Sequence, residues 1–224
     1  MASFEQHVNG AVLATGVLVV PFYSASVVDI NEALVLFCLG ILGGVLPDID
    51  SDNSKPIQIS FKILSIFVPF IVILSTISIL SVTNILFIWL ASSLVLHFGV
   101  FRVFLSITSH RGIFHSIPMG ILFGLITIFL FNTILNLDSV FATLSGIFLF
   151  VGFMVHLLLD ELVSLNVLGL HIKKSFGTAV KLYDKNNAIG SIGLYIAIAI
   201  LSFVVSIDFD VFESIANSFE NIKF

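Results

Sequence analysis

Two histidines and an arginine are grouped in the octet 109–116, which lies between two long apolar runs. His110 and His115 offer neutral nitrogen ligands that suit zinc or a similar transition metal. Arg111 between them is a permanent cation whose planar fork fits phosphate or carboxylate oxygens. Gly112 lets the backbone turn sharply, so that the two rings can converge. The octet therefore predicts a metal site with an anion-binding cation, and an ordinary polar loop is the alternative.

The end of this octet has the pattern of a helix start. Ser116 is a favoured N-cap residue, and Pro118 fits the first turn of a helix. The positive end of the helix dipole would then face whatever the histidines hold. We therefore count Ser116 with Arg111 among the candidate catalytic residues, as the groups that would hold an anion.

A second group of ligand-type residues lies on one helical face further along the chain. His156 and Asp160 follow Gly152 at intervals of four and are followed by Ser164, which makes a small and polar stripe. A histidine and an aspartate one turn apart can bind a single metal ion. His7 adds a third histidine near the start of the chain, where a surface position is the alternative.

The composition identifies the class of protein. The 224 residues are 58% hydrophobic and 10% charged, with 24 Phe, whereas a soluble domain is about a quarter charged. The chain is therefore predicted to be an all-α polytopic membrane protein. A net charge of −5 gives no sign of nucleic-acid binding, and the single cysteine, Cys38, excludes an internal disulfide.

Seven apolar runs are predicted to span the membrane as a single domain over residues 1–224: 11–28, 33–46, 61–82, 85–107, 118–135, 140–163 and 189–207. Glu5 and the lack of Lys or Arg before the first run argue against a cleaved signal peptide. His97 inside the fourth run is a functional candidate, and a hydrogen bond to a neighbouring helix is an equal alternative. The roles of His97 and His171 stay open at this point.

An acidic turn follows the second run. That run covers about 14 residues, or about 21 Å of helix, which is short of the ~30 Å hydrocarbon thickness; Asn31 is its expected cap. Pro47 disfavours helix at the residue before it. Asp48 and Asp50 are two residues apart, which in an extended turn points both carboxylates the same way. We expect a polar site set below the membrane surface, with a solvated acidic loop as the alternative.

Positive charge predicts the orientation of the spans. With seven spans, one face receives all but one of the cations: Lys55, Lys62, Arg102, Arg111, Lys173, Lys174, Lys181 and Lys185. The other face receives Lys223. This bias predicts a cytoplasmic N-terminus and an external C-terminus. The same topology brings seven ligand-type residues to the cytoplasmic face: His7, Asp48, Asp50, His110, His115, His156 and Asp160.

These motifs together resemble a known family. His7, the stretch from Leu46 to Asp50, His110-Arg111-Gly112 with His115-Ser116, and His156-x-x-x-Asp160 are similar to the YdjM-type family of bacterial inner-membrane metal-dependent hydrolases. The resemblance covers most of the chain, from residue 7 to about residue 160. It implies a distant similarity to zinc-dependent phospholipase C and single-strand nucleases, which are all-helical and use clustered zinc ions.

The residues are consistent with that implied chemistry. Four histidines and three aspartates exceed what one tetrahedral zinc needs, which indicates two or more divalent ions. Paired metals polarise a phosphoryl group and activate water. Arg111 would neutralise the substrate phosphate, and one aspartate, Asp50 for example, could hold the attacking water. The expected function is hydrolysis of a phosphate ester on a membrane lipid or a lipid-linked substrate.

Two other classes of protein stay open. A carrier or ion pathway would spread polar residues across the bilayer depth and show broken helices in two halves. In this sequence the polar groups gather at one end, and no internal repeat is visible. A non-catalytic membrane protein whose metal only joins the helices is the other alternative.

Overall fold

The computed structural model describes residues 2–50, 81–94, 113–166, 171–172, 180–184, 187–205, 212–213 and 216–217; for 49–50, 165–166 and 171–172 it describes the backbone alone. The chain divides into two compact units. One consists of Met1–Pro47 with His115–Phe224, and the other of Asp48–Phe114. The expected single domain over residues 1–224 stays a prediction.

The described part of the chain is helical. Its α-helices are α1 (Phe4–Ser24), α2 (Ile30–Val45), α3 (Val82–Leu94), α4 (Ile117–Phe129), α5 (Ser139–Ser164) and α6 (Ala188–Val204). A 3-10 helix (Leu46–Asp50) follows α2, and a π-helical turn (Leu130–Ile134) follows α4. The strands β1 (Leu165–Asn166) and β2 (His171–Ile172) pair antiparallel over two residues. The predicted all-α fold is confirmed.

Four segments of the described residues are long and apolar enough to cross a membrane: Phe4–Ser24, Ile30–Asp48, Ile117–Ile134 and Ser139–Ser164. The helices α3 and α6 are apolar but shorter. Most of the predicted run 61–82 and the second half of the run 85–107, with His97, lie outside the described residues. The chain is therefore a helical membrane protein, and the count of seven spans stays a prediction.

Side-chain hydrogen bonds cap the N-termini of α1, α2 and α5. Ser3 caps α1 in a capping box with Gln6, and Asp29 caps α2 in the same way with Glu32. The carboxylate of Asp138 accepts hydrogen bonds from the backbone N–H groups of the first turn of α5. Each cap satisfies N–H groups that a helix start leaves without intrahelical partners.

Several expectations about α2 and the turn after it were wrong. The cap is Asp29 rather than Asn31, so the helix begins at Ile30 and is longer than the predicted run 33–46. Pro47 does not end the helical backbone, because Leu46 keeps helical angles (φ −57°, ψ −39°) and the chain continues as the 3-10 helix. The segment Ile30–Asp48 is 19 residues long, which is enough to cross a membrane. Asp48 and Asp50 therefore follow in helical rather than extended backbone.

The helix α5 lies at the centre of the first unit and packs against α1, α2 and α4. Its contact with α2 is close enough that only glycine fits. A Cβ atom on Gly43 would overlap the backbone carbonyl of Leu149, and one on Gly152 would overlap that of Gly40. The two backbones therefore touch directly, which brings the C-terminal end of α2 against the second half of α5.

An apolar core holds the opposite end of the same helices. Phe148 is fully buried and meets the ring of Phe22 edge-on, with ring centroids 5.7 Å apart. The buried members of this core lie near the start of α2 and the first half of α5: Val28, Ala33, Leu36, Phe141, Leu144 and Phe148. His156 and Asp160 lie in the second half of α5, away from this core.

The second unit is described through the end of the 3-10 helix and through α3. The helix α3 buries none of its residues within the described part of the chain, and large apolar side chains such as Leu86, Phe87 and Leu90 are exposed. A helix that is apolar all round is typical of a membrane environment.

Candidate metal centre

Three histidines and an aspartate meet at one end of the first unit. His156 and Asp160 lie one turn apart on α5, His7 lies in the first turn of α1, and His115 directly precedes the cap of α4. Their exposed fractions are 0%, 6%, 1% and 2%, so all four side chains are withdrawn from solvent. His7 was expected ahead of the first helix; it lies inside α1 because Ser3 begins the helix earlier.

The imidazoles of His7 and His156 are stacked. Their ring centroids are 3.5 Å apart, and the ring planes are inclined by 7°. Nε2 of His7 lies 3.3 Å from Oδ1 of Asp160. Each of these three residues offers one ligand atom, and the three atoms all lie within 4.8 Å of one another. They are close enough to share one ion.

The orientation of His156 follows from the close contact of α2 with α5. Its Nδ1 lies 2.7 Å from the backbone carbonyl oxygen of Gly44. Because a carbonyl can only accept, Nδ1 carries the proton and Nε2 carries the lone pair. A histidine that binds a metal commonly donates its other ring N–H to a backbone carbonyl, which fixes the tautomer and the ring orientation.

The carboxylate of Asp160 has neighbours on both oxygens. Oδ1 accepts a hydrogen bond of 2.9 Å from the backbone N–H of Ala2 and faces His7. Oδ2 lies 4.0 Å from Nε2 of His115, whose ring is 5.6 Å from that of His156. Asp160 therefore lies between His115 on one side and His7 with His156 on the other.

The donor set fits a transition-metal ion. Nδ1 of His7 is buried and has no hydrogen-bond partner among the described residues. A buried polar atom without a partner costs free energy, which a metal–nitrogen bond would remove. Imidazole nitrogens with one carboxylate are a common ligand set for zinc and similar ions. These buried residues could therefore bind a metal ion.

The N–H groups at the start of α4 are already bonded within the protein. The side chain of Ser116 accepts from the N–H of Met119 at 3.4 Å, as a cap does. The N–H of Ile117 donates to the carbonyl of Lys181 at 3.0 Å, and Pro118 has no N–H. Ser116 is thus confirmed as the cap of a helix that begins where predicted. Its expected role in holding an anion stays a prediction. Since these N–H groups are bonded within the protein, this turn could contribute to anion binding through the helix dipole.

The structure brings four of the seven predicted metal ligands together: His7, His115, His156 and Asp160. Asp48 lies in the 3-10 helix at the start of the second unit. The side chain of Asp50 and all of His110 and Arg111 lie outside the described residues, as does the side chain of His171.

Two contacts of this centre involve residues that the sequence reasoning missed, Ala2 and Gly44. Both act through backbone groups, which carry no signature in residue type. The double glycine Gly43-Gly44 indicates a close backbone approach, and this was the one available sign for the second of them.

Fold and site together define a helical membrane protein with a buried histidine–aspartate cluster that could hold a metal ion. A family model described as YdjM inner membrane protein matches residues 1–210, so the chain belongs to that family. The resemblance read from the motifs is thereby confirmed. No curated protein and no solved structure matches the chain. The distant similarity to phospholipase C and single-strand nucleases stays a prediction.

Proposed function

We propose that this protein is a membrane-embedded metal-dependent hydrolase that acts on a phosphate ester of a lipid or a lipid-linked substrate. The observation that carries the proposal is the buried cluster of three histidines and one aspartate. The family of inner membrane proteins supports a location in the membrane, and the imidazole and carboxylate ligands support metal-dependent chemistry.

The position of the cluster along its helices favours a substrate at the membrane surface. His7 is close to the start of α1, and Asp160 is close to the end of α5. Both helices are apolar over a length that can cross a membrane, so their ends lie near the head groups. With seven spans, a cytoplasmic N-terminus and an external C-terminus, this end faces the cytoplasm, where lipid phosphates are available.

The described residues would bind the metal and orient its ligands. His7, His115, His156 and Asp160 would hold zinc, with the carbonyl of Gly44 keeping His156 in its coordinating tautomer. When bound, one or two such ions supply a Lewis acid for the phosphoryl oxygen and an activated water. The burial of all four side chains keeps bulk water out, which strengthens every electrostatic contact inside.

The remaining predicted residues complete the proposal. Asp48, Asp50 and His110 would extend the cluster so that it can hold a second ion. Asp50 could instead hold the attacking water. Arg111 would bind the anionic phosphate, since a guanidinium is not a metal ligand but pairs well with phosphate oxygens.

A structural metal is the second candidate. The cluster joins α1, α5 and the residue before α4, and His156 is completely buried. An ion at this place would tie three helices together without any substrate. This reading predicts that metal removal unfolds the protein and that no ester is hydrolysed.

A head-group and phosphate release assay on a panel of phospholipids and lipid-linked phosphates distinguishes the two. Arg111→Ala should keep the bound metal and lose about a hundredfold to a thousandfold in turnover, the scale for one preorganised charge-stabilising donor. His115→Ala should lose metal and activity together. Activity that survives chelation, or metal-loaded protein that hydrolyses none of these esters, would contradict the hydrolase.

A further inference from the structure

Residues 181–184 connect the start of α4 to α6. The carbonyl of Lys181 accepts the N–H of Ile117, the first residue of α4, at 3.0 Å. The carbonyl of Leu182, the next residue, accepts the hydroxyl of Tyr195 on α6 at 2.9 Å. The segment thus contacts both helices through its backbone.

Asp184 fixes the other end of this segment to α6. It is buried, and its N–H donates to Oγ of Ser191 at 3.1 Å. Its carbonyl accepts the N–H of Asn187, the cap of α6, at 3.1 Å, and its Oδ2 accepts from Nζ of Lys181 at 3.3 Å. We call residues 181–184 with Ser191 and Tyr195 the clamp.

The clamp reaches the metal centre through one turn of chain. Ile117 is two residues from His115, and His115 lies outside the regular helix, directly before the cap. Its backbone therefore lies outside the helical hydrogen-bond pattern, and the position of its Cα atom depends on where the start of α4 is held. Nε2 of His115 lies 4.0 Å from Asp160, a distance that a small shift of this turn would change.

We infer that the clamp is a positioning device for His115, so that the connection before α6 tunes metal affinity without supplying a ligand. The inference rests on the proposed metal centre. Groups that orient a metal ligand change metal affinity by about 10- to 100-fold when they are removed. The clamp acts through the N–H of Ile117 rather than on the ring of His115, so we expect the lower end of that range. Ser191 and Tyr195 are the two members on α6, and both take part through their side-chain hydroxyls, so they are the positions to substitute.

The test is a titration of the full-length protein in detergent with Co²⁺, followed by its visible absorption. Ser191→Ala removes the acceptor of the Asp184 N–H; we expect the Kd for Co²⁺ to rise on the order of tenfold and the absorption bands to change. Ser191→Thr keeps a hydroxyl and should restore both. The matched control is Ser145→Ala, which removes another buried serine hydroxyl, about three turns along α5 from His156.

Ser191→Ala with an unchanged Kd and spectrum, and with only the loss of thermal stability that Ser145→Ala also shows, would overturn the inference. If Ser191→Ala does not fold, Tyr195→Phe decides by the same measurements, with a smaller effect in the same direction expected. Wild-type protein that binds Co²⁺ and hydrolyses no ester contradicts the hydrolase and leaves the clamp supported by its titration. Wild-type protein that binds no Co²⁺ contradicts both.

Discussion

Asp160 contacts different groups through its two carboxylate oxygens. Oδ1 receives the N–H of Ala2 and faces His7, and Oδ2 faces His115. A carboxylate buried this deeply is stable only with compensating partners, and an uncompensated buried charge costs several kcal/mol. The negative charge of Asp160 is therefore the feature of the centre whose removal should have the largest effect.

Asp160→Asn should lower the metal content and abolish the rise in thermal stability that metal gives the wild type. An amide is a much weaker ligand than a carboxylate, and a metal stabilises only the state that binds it. Metal analysis with thermal unfolding, before and after chelation, measures both effects.

The control for this substitution is Glu161→Gln, at the next position of α5. It makes the same carboxylate-to-amide change outside the group of ligand atoms that lie close together. Equal metal content in wild type and Asp160→Asn would remove Asp160 from the site.

The contact between α2 and α5 links packing to chemistry. Gly43 and Gly152 let the two backbones touch. This close approach places the carbonyl of Gly44 where it accepts a hydrogen bond from Nδ1 of His156. Small residues that permit close backbone approach are a common device of membrane helix pairs. In this chain the device also orients a candidate metal ligand.

Gly152→Ala should therefore reduce both stability and metal affinity. The added methyl group would overlap the carbonyl of Gly40, and overpacking of this kind costs about 1–3 kcal/mol or more. As the helices separate, Gly44 moves away from His156. Thermal unfolding together with Co²⁺ titration checks the two effects.

Gly193→Ala on α6 is the matched control, because a Cβ atom there meets no atom within 4 Å in the described part of the chain. It should leave metal affinity unchanged and stability equal or slightly higher, since Ala has the better helix propensity. A Gly152→Ala protein as stable as this control would show that the helix contact is not as close as described.

The chain belongs to a family of inner membrane proteins, and His7, His115, His156 and Asp160 lie together at one end of the helices that the structure describes. In the sequence, all Lys and Arg residues except Lys223 fall in the segments predicted to face the same side as the N-terminus, and such an excess is typical of cytoplasmic loops. Orientation and chemistry are therefore linked: a cytoplasmic site requires a cytoplasmic N-terminus.

Reporter fusions test that orientation. Fusions at 136–139, the turn between α4 and α5, and after the last residue should both report the outside. A fusion within residues 164–188 should report the cytoplasm and is the internal control. A cytoplasmic C-terminus with an external 164–188 connection would separate the predicted ligands from the cytoplasmic face.

Several features could be predicted from residue types and spacing because short-range physics decides them. The apolar composition predicted membrane helices, and an interval of four placed His156 and Asp160 on one face of α5. Ser116 and Pro118 predicted the start of α4 to the residue. Helical periodicity and capping involve neighbours along the chain, so the sequence carries them directly.

Local rules failed where several of them compete. Pro47 was expected to disfavour helix at Leu46, and Asn31 was expected to cap α2. Asp29 with Glu32 forms a reciprocal capping box, which begins the helix at Ile30. The packing of α2 against α5 continues almost to Pro47 and stabilises a helical backbone there.

The contacts across helices were decided by the tertiary structure alone. The stacking of His7 on His156, the Ala2 N–H on Asp160 and the Gly44 carbonyl on His156 join residues more than a hundred positions apart. Spacing could bring His7 and Asp160 to the same membrane face, but not into contact. Their separation depends on how closely three helices approach, and that is set by packing at Gly40, Gly43 and Gly152, which a one-dimensional pattern does not describe.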